Sequence, residues 1–221
     1  MSNVIGHIWI SSVKRDPACG RGWLPKNRND GDFASDAELA AYKKTTQGHF
    51  LRQDEFPEAL YAPRRWNDHK KADRHIFSYG HLVISEESAK VLSQFDLGEG
   101  TFYPVDLFHP DKKTRHPGQW YHLTVAAKKN AVLPEQSSRI KHVHKASGEY
   151  PDVWGAPPNF KDDEITFGAS VLEGPDIWTD EHFFIGYMIS ERLYKAMKKA
   201  KISKHWSLRR APVIDGAYRN A

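Results

Sequence analysis

The sequence predicts an α+β fold, built largely from antiparallel sheet, with a repeated strand-helix-strand unit and a small α/β region at the N-terminus. Three observations carry this. The segment "GHLVISEESAKVL" (Gly80 to Leu92) returns as "GYMISERLYKAM" (Gly186 to Met197), so that Ser190 repeats Ser85. Tyr121, Leu123 and Val125 alternate with Trp120, His122 and Thr124, the period-two pattern of a half-buried strand. Ser35 and Glu38 are spaced as a capping box ahead of a helix.

Taken in order, Val4 to Ile10 reads as a first strand and the Gly, Pro and Asn-rich stretch behind it as a loop. The helix "SDAELAAYKK" follows, with Leu39 and Tyr42 on a shared face and Gly48 as its candidate stop. A polar, basic connection over Leu60 to His75 separates residues 1–75 from a main body at 76–215, within one domain of 1–221. Ile76 to Ile84 reads as a strand ending at Ser85, the N-cap of "EESAKVLSQF", whose Glu86 and Glu87 sit on the positive end of the helix dipole. "TFYPVDLF" returns as a strand and forms a hairpin with "WYHLTVAA". "SRIKHVHK" is a weaker strand or short helix, "ITFGASVLE" a strand, and "FFIGYMI" the strand that meets Ser190. In the helix "ERLYKAMKKAKI", Leu193, Met197 and Ala200 mark an apolar face against Lys195, Lys198, Lys199 and Lys201 on the other side. Each helix precedes an extended Pro-Val segment, Pro104-Val105 and Pro212-Val213.

Composition excludes several classes. At 221 residues the chain can bury roughly 70% of its unfolded surface, so a true core is expected. The longest apolar run, Phe183 to Ile189, is strand length, far short of a membrane span. The N-terminus lacks the charged flank and cleavage site of a secretion signal, which points to the cytoplasm. The single Cys19 excludes an internal disulfide and fits a reducing compartment. A net charge of +4, from 32 basic and 28 acidic residues, describes a mixed surface more than a nucleic-acid tract.

The short catalytic signatures are missing: no phosphate loop, no GxSxG elbow, no HExxH, no paired CxxC. Ser85-Glu86 and Ser190-Glu191 read as caps and dipole partners, not as nucleophiles, because no His stands at a fixed spacing in both copies. His142 and His144, or His109, His116 and His122, show no convergence on a metal. No catalytic residue, cofactor or metal is therefore assigned. Arg64, Arg65, Lys70, Lys71 and Arg74 around Trp66 support an alternative reading as a nucleic-acid-binding or processing protein. The loop from Gly148 to Glu164 is the best candidate for contact with a protein partner, through Tyr150, Trp154, Phe160, Asp162, Asp163 and Glu164. Large aromatic anchors beside charge are the composition of interface hot spots.

Between Leu60 and Val213, and most strongly at Asp176-Ile177-Trp178 and Ile189-Ser190-Glu191-Arg192-Leu193, the chain resembles a bacterial immunity-protein family of polymorphic-toxin loci. It departs from the family's ending at "KISKHW", where a Gly-containing turn is usual. The resemblance implies a non-enzymatic inhibitor that binds a cognate bacterial toxin in the cytoplasm and covers its active site.

Overall fold

The computed structural model describes residues 3–17, 19, 22–64, 75–143 and 153–216. Along the chain run β1 (Val4–Ser11), β2 (Leu24–Pro25), α1 (Asp36–Thr46), β3 (Ala59–Tyr61), β4 (Ile76–Ser78), β5 (Leu82–Ser85) and α2 (Glu86–Leu92). Then come β6 (Thr101–Phe108), β7 (Trp120–Thr124), β8 (Lys128–Lys129), β9 (Lys141–His142), β10 (Trp154–Gly155) and β11 (Phe167–Gly168). The last elements are β12 (Ile177–Asp180), β13 (Phe183–Ser190), α3 (Glu191–Lys199) and β14 (Leu208–Ile214). The strands form two sheets, one ordered β2-β3-β6-β7-β5-β4 and the other β11-β14-β1-β13-β10-β9, with β12 pairing β13 and β8 pairing β12. The fold is α+β and dominated by sheet.

The repeat is larger than the sequence suggests. In the first unit the order is β3-β6-β7-β5-β4; in the second it is β11-β14-β1-β13-β12, with every matching pair in the same direction. Ile76 faces Ile84 as Ile177 faces Ile189, and Ser85 faces Trp120 as Ser190 faces Ile8. The central strand of the second unit is thus supplied by β1, from the far end of the chain. The second unit is a circular permutation of the first.

Pleating sorts the equivalent residues in the same way. Ile76, Leu82 and Ile84 share one core with Ile177, Tyr187 and Ile189, together with Leu92 of α2 and Leu193 and Met197 of α3. Their neighbours one residue along, Phe77 and Val83 in one unit and Trp178 and Met188 in the other, point to separate outer cores. A side-chain period of two makes this sorting unavoidable once the register is set. The shared core is the seam between the units.

Both serines are N-caps: Ser85 Oγ accepts from Ser88 N at 3.3 Å and Ser190 Oγ from Leu193 N at 3.1 Å. The Ser35–Glu38 capping box forms on α1, and Gly48, at φ +66°, ends that helix with His49 N donating to Lys44 O. Leu39 and Tyr42 of α1 are 54% and 48% exposed, while Ala41 and Thr45 face inward. Several local expectations are corrected. The helix after Ser85 stops at Leu92. Only Phe167–Gly168 of "ITFGASVLE" is strand, and Ala169–Leu172 is a 3-10 turn. The Pro-Val pairs are not equivalent: Val105 pairs with Trp120, whereas Ala211 takes the matching place against Ile8, leaving Pro212-Val213 two residues further on.

Candidate functional site

The two capped helix starts are built alike but held by different chemistry. Ser85 N donates to His75 O, and the Ser85 hydroxyl is hydrogen-bonded to His75 Nδ1 at 2.9 Å. Ser190 N donates to Asp176 O at 2.9 Å, and its hydroxyl donates to Asp176 Oδ1, which also takes Arg192 Nε. Asp176 Oδ2 accepts from Asp96 N at 3.0 Å, so this buried carboxylate joins the second helix start to the end of α2. Glu191 is fixed by Trp9 Nε1 at 2.6 Å, and the Trp9 ring stacks on Tyr194 with centroids 3.6 Å apart. These contacts position helices.

The Ser85–His75 contact does not make a catalytic relay. A relay places nucleophile and carboxylate on opposite ring nitrogens. Here Glu87 Oε2 lies 3.9 Å from the same Nδ1 that Ser85 occupies. Among the described residues no group of three His, Cys, Asp or Glu side chains is placed to hold a metal ion. His109 and His116 stack on each other at 3.8 Å instead.

A seam of buried ionisable groups lies where α1 meets the sheets. Lys14 Nζ donates to Thr45 O at 3.2 Å and sits 4.7 Å from the Tyr187 ring centroid; burial pulls its ammonium down to about 7. His81 Nδ1 is hydrogen-bonded to Thr45 Oγ1 at 2.8 Å, and burial lowers its imidazole to about 4. His122 bonds the Pro57 carbonyl at 2.9 Å and is pushed by burial to about 3. Burial also raises the phenols of Tyr79 and Tyr187. Both rings of this histidine pair are neutral at pH 7, and the polar chain through Thr45 fastens α1 to the body.

The loop expected to meet a partner is divided by the structure. Tyr150 lies outside the described residues. Trp154 is half-buried on β10, paired with His142 and Phe183 and edge-on to the His142 ring. Phe160 is 2% exposed and belongs to the outer core of the larger sheet, so its ring anchors the loop. Asp162 accepts from Arg210 N at 3.0 Å, and Asp163 makes a two-pronged pair with the Arg210 guanidinium at 3.0 and 2.5 Å. Glu164 receives Lys161 N at 2.7 Å and faces Arg139 at 3.8 Å. The acidic run lies along the β11 side of β14, with β14, β1 and β13 between it and Trp154. Three to four strand spacings make that separation roughly 15–19 Å.

Of the basic segment around Trp66, Arg64 alone is among the described residues, and it is exposed. Lys195 of α3 faces Glu191 at 3.5 Å, and Lys198 and Lys199 are exposed, a solvated face as read from the sequence. The sequence reading passed over a different set. Lys26 and Arg115 lie over the Phe108 ring and Lys112 over Tyr61, at the tip of the β6–β7 hairpin. The run "DKKTRH" was its only linear sign.

Residues 19–210, 192 of the 221, match the sequence profile of the Immunity protein family (Imm11). The chain belongs to that family. The match begins well before Leu60, where the resemblance read from the motifs starts, and takes in α1, β2 and the whole first unit; of the second unit it leaves out β1 and the last residues of β14. Immunity to a toxin is what the family's description denotes, and a toxin is the partner it implies. A search of curated proteins finds no match. No described helix is long and apolar enough to cross a membrane.

Proposed function

We propose that the chain binds a cognate antibacterial toxin in the cytoplasm and neutralises it by covering its active site. The observation that carries this reading is the family match over residues 19–210. The geometry agrees with a binding role, since the polar networks at Ser85, Ser190 and the Lys14–Thr45–His81 seam are all taken up in holding elements together. The toxin is of the kind delivered between competing bacteria, as by type VI secretion, with a target inside the cell: nucleic acid, nucleotide cofactor or a modified protein.

Occlusion of this type buries about 1,200–2,000 Å² in total. Among the described residues of the loop expected to contribute, Trp154 is the ring left half-exposed, and it is the contact we assign there. The acidic residues Asp162, Asp163 and Glu164 contribute the same surface only in company with their basic partners Arg210 and Arg139.

Expression of the adjoining toxin gene tests the reading. The toxin alone arrests growth, and co-expression with this chain restores it, with the two proteins purifying together. Arrest that persists despite soluble chain, with no complex recovered, overturns it.

A further inference from the structure

We propose that the tip of the β6–β7 hairpin, with the segment around Lys26 and Arg28, is a docking surface for the carboxylate-rich face of a protein partner. This rests on the toxin-binding reading and names the chemistry of one part of the contact.

The turn is rigid before anything binds. His109 N donates to Thr114 O at 2.8 Å and Lys112 N to His109 O at 2.9 Å, while Phe108 bridges to Arg115. Asp111 accepts from Lys113 N and Thr114 N, both at 2.9 Å, and from the Thr114 hydroxyl at 2.6 Å. The Thr114 hydroxyl and these amides hold the Asp111 carboxyl at about 2, so the turn keeps its form at any working pH. Lys112 adopts a left-handed backbone, φ 57°, which sends its side chain back over the sheet.

The cationic heads are placed as well as the backbone. Lys112 Nζ donates to Arg28 O at 2.8 Å and lies 4.2 Å from the Tyr61 centroid. Lys26 Nζ lies 3.6 Å above Phe108, and the Arg115 guanidinium 5.6 Å from the same ring. Ordering these long side chains is normally an entropic cost of association, and here it is met in the free protein.

The charge left over is positive. Arg28 is paired with Glu38 at 3.1 Å and Arg115 with Asp106 at 2.7 Å. Among the described residues, Lys26, Lys112, Lys113 and Arg64 have no carboxylate within ion-pair distance. The acids nearby are Asp111, held in its turn, Glu58, and Asp32, which accepts from Asn29 N. Asp30 has a partner of its own.

Two features favour protein carboxylates over nucleic acid. Single-stranded nucleic acid needs open aromatic faces on which bases stack. Phe108 and Tyr61 are 5% and 4% exposed, each beneath its cation. The interspersed Asp106, Asp111 and Glu58 would also repel a continuous run of phosphates, whereas a protein face can present carboxylates between them.

The test titrates an inactive variant of the adjoining gene's toxin against the full chain at about 50 and about 200 mM salt, with a 20-bp DNA duplex as a second probe. Reversal in K26E/K112E/K113E weakens the toxin complex about tenfold or more at the lower salt, and by less at the higher. The melting temperature and near-ultraviolet spectrum check folding, and K113E/R64E, which touches neither ring, repeats the loss if the triple variant unfolds. Toxin affinity unchanged by both variants overturns the proposal, as does duplex binding with a steep salt slope that the reversal abolishes. A wild-type chain that fails to bind the toxin at all fells the toxin reading first, before any variant is made.

Discussion

The unit built on β3 to β7 and the unit built on β11 to β14 with β1 have the same strand order, yet they are finished differently. The first holds its helix start with His75, the second with Asp176. The first buries His122 and His81 where the second, by register, has Ile10 and Gly186. The first ends its β6–β7 hairpin in a closed basic turn, whereas the matching strands of the second, β14 and β1, are not consecutive in the chain. What the units share is scaffold. What is peculiar to one is where stability depends on conditions and where a partner has something to recognise.

The comparison breaks most readily in the shared core. Leu92 and Met197 occupy equivalent places on α2 and α3, and both are fully buried, as is Leu193. Replacement of Leu92, Met197 or Leu193 by Ala costs about 2–5 kcal/mol in each case, read from urea unfolding. A large loss on one helix and almost none on the other would end the claim of equivalence.

Acid sharpens it next. His122 and His81 stay neutral in the fold, to about 3 and about 4, while an unfolded imidazole binds its proton near 6.5. The unfolded chain therefore holds more protons through that window, and stability, complete above pH ~6.5, is lost as the pH falls toward 4. Each ring accounts for roughly 1.4 kcal/mol per pH unit. The slope measured between pH 6.5 and 5 drops by about one ring's share in H122I, which copies Ile10 of the other unit. An unchanged slope contradicts the assignment.

The helix starts come third. Asp176→Asn removes a charge shared by Ser190, Arg192 and Asp96 and costs about 3 kcal/mol. His75→Ala, which loses the hydrogen bond to the Ser85 hydroxyl, costs about 1 kcal/mol. Equal losses would mean that the two supports do not differ as described. Smallest in stability is Trp154→Ala, which leaves the melting temperature nearly unchanged and weakens binding to the toxin; a large drop in melting temperature would assign the ring to the core.

Much of this was legible where the physics is local. A serine cap, an acidic first turn and alternating strand residues need only a few neighbours, and the caps Ser35, Ser85 and Ser190 and the strand Trp120–Thr124 were read correctly for that reason, although that strand is buried on both faces and not half-buried as its alternation suggested. The register between β1 and β13 spans most of the chain, so no local pattern announces that Val4–Ser11 completes the second unit. Even the shared glycines mislead. Gly80 serves a turn at φ +116°, whereas a Cβ on Gly186 would meet the backbone of Ser11 at 2.0 Å. Helical spacing puts Leu39 and Tyr42 on one face but does not say that this face is the exposed one, and α1 is held by Lys14, Thr45 and His81. In the partner loop, composition could not distinguish a ring that anchors, Phe160, from one that remains half-exposed, Trp154.

The most direct measurement titrates purified chain into an activity assay of the toxin encoded beside it. Inhibition by occlusion predicts that activity falls linearly and vanishes near one equivalent, with the complex recovered intact. Toxin activity untouched at excess chain, or its effect reversed by a small fraction of an equivalent, would contradict the account.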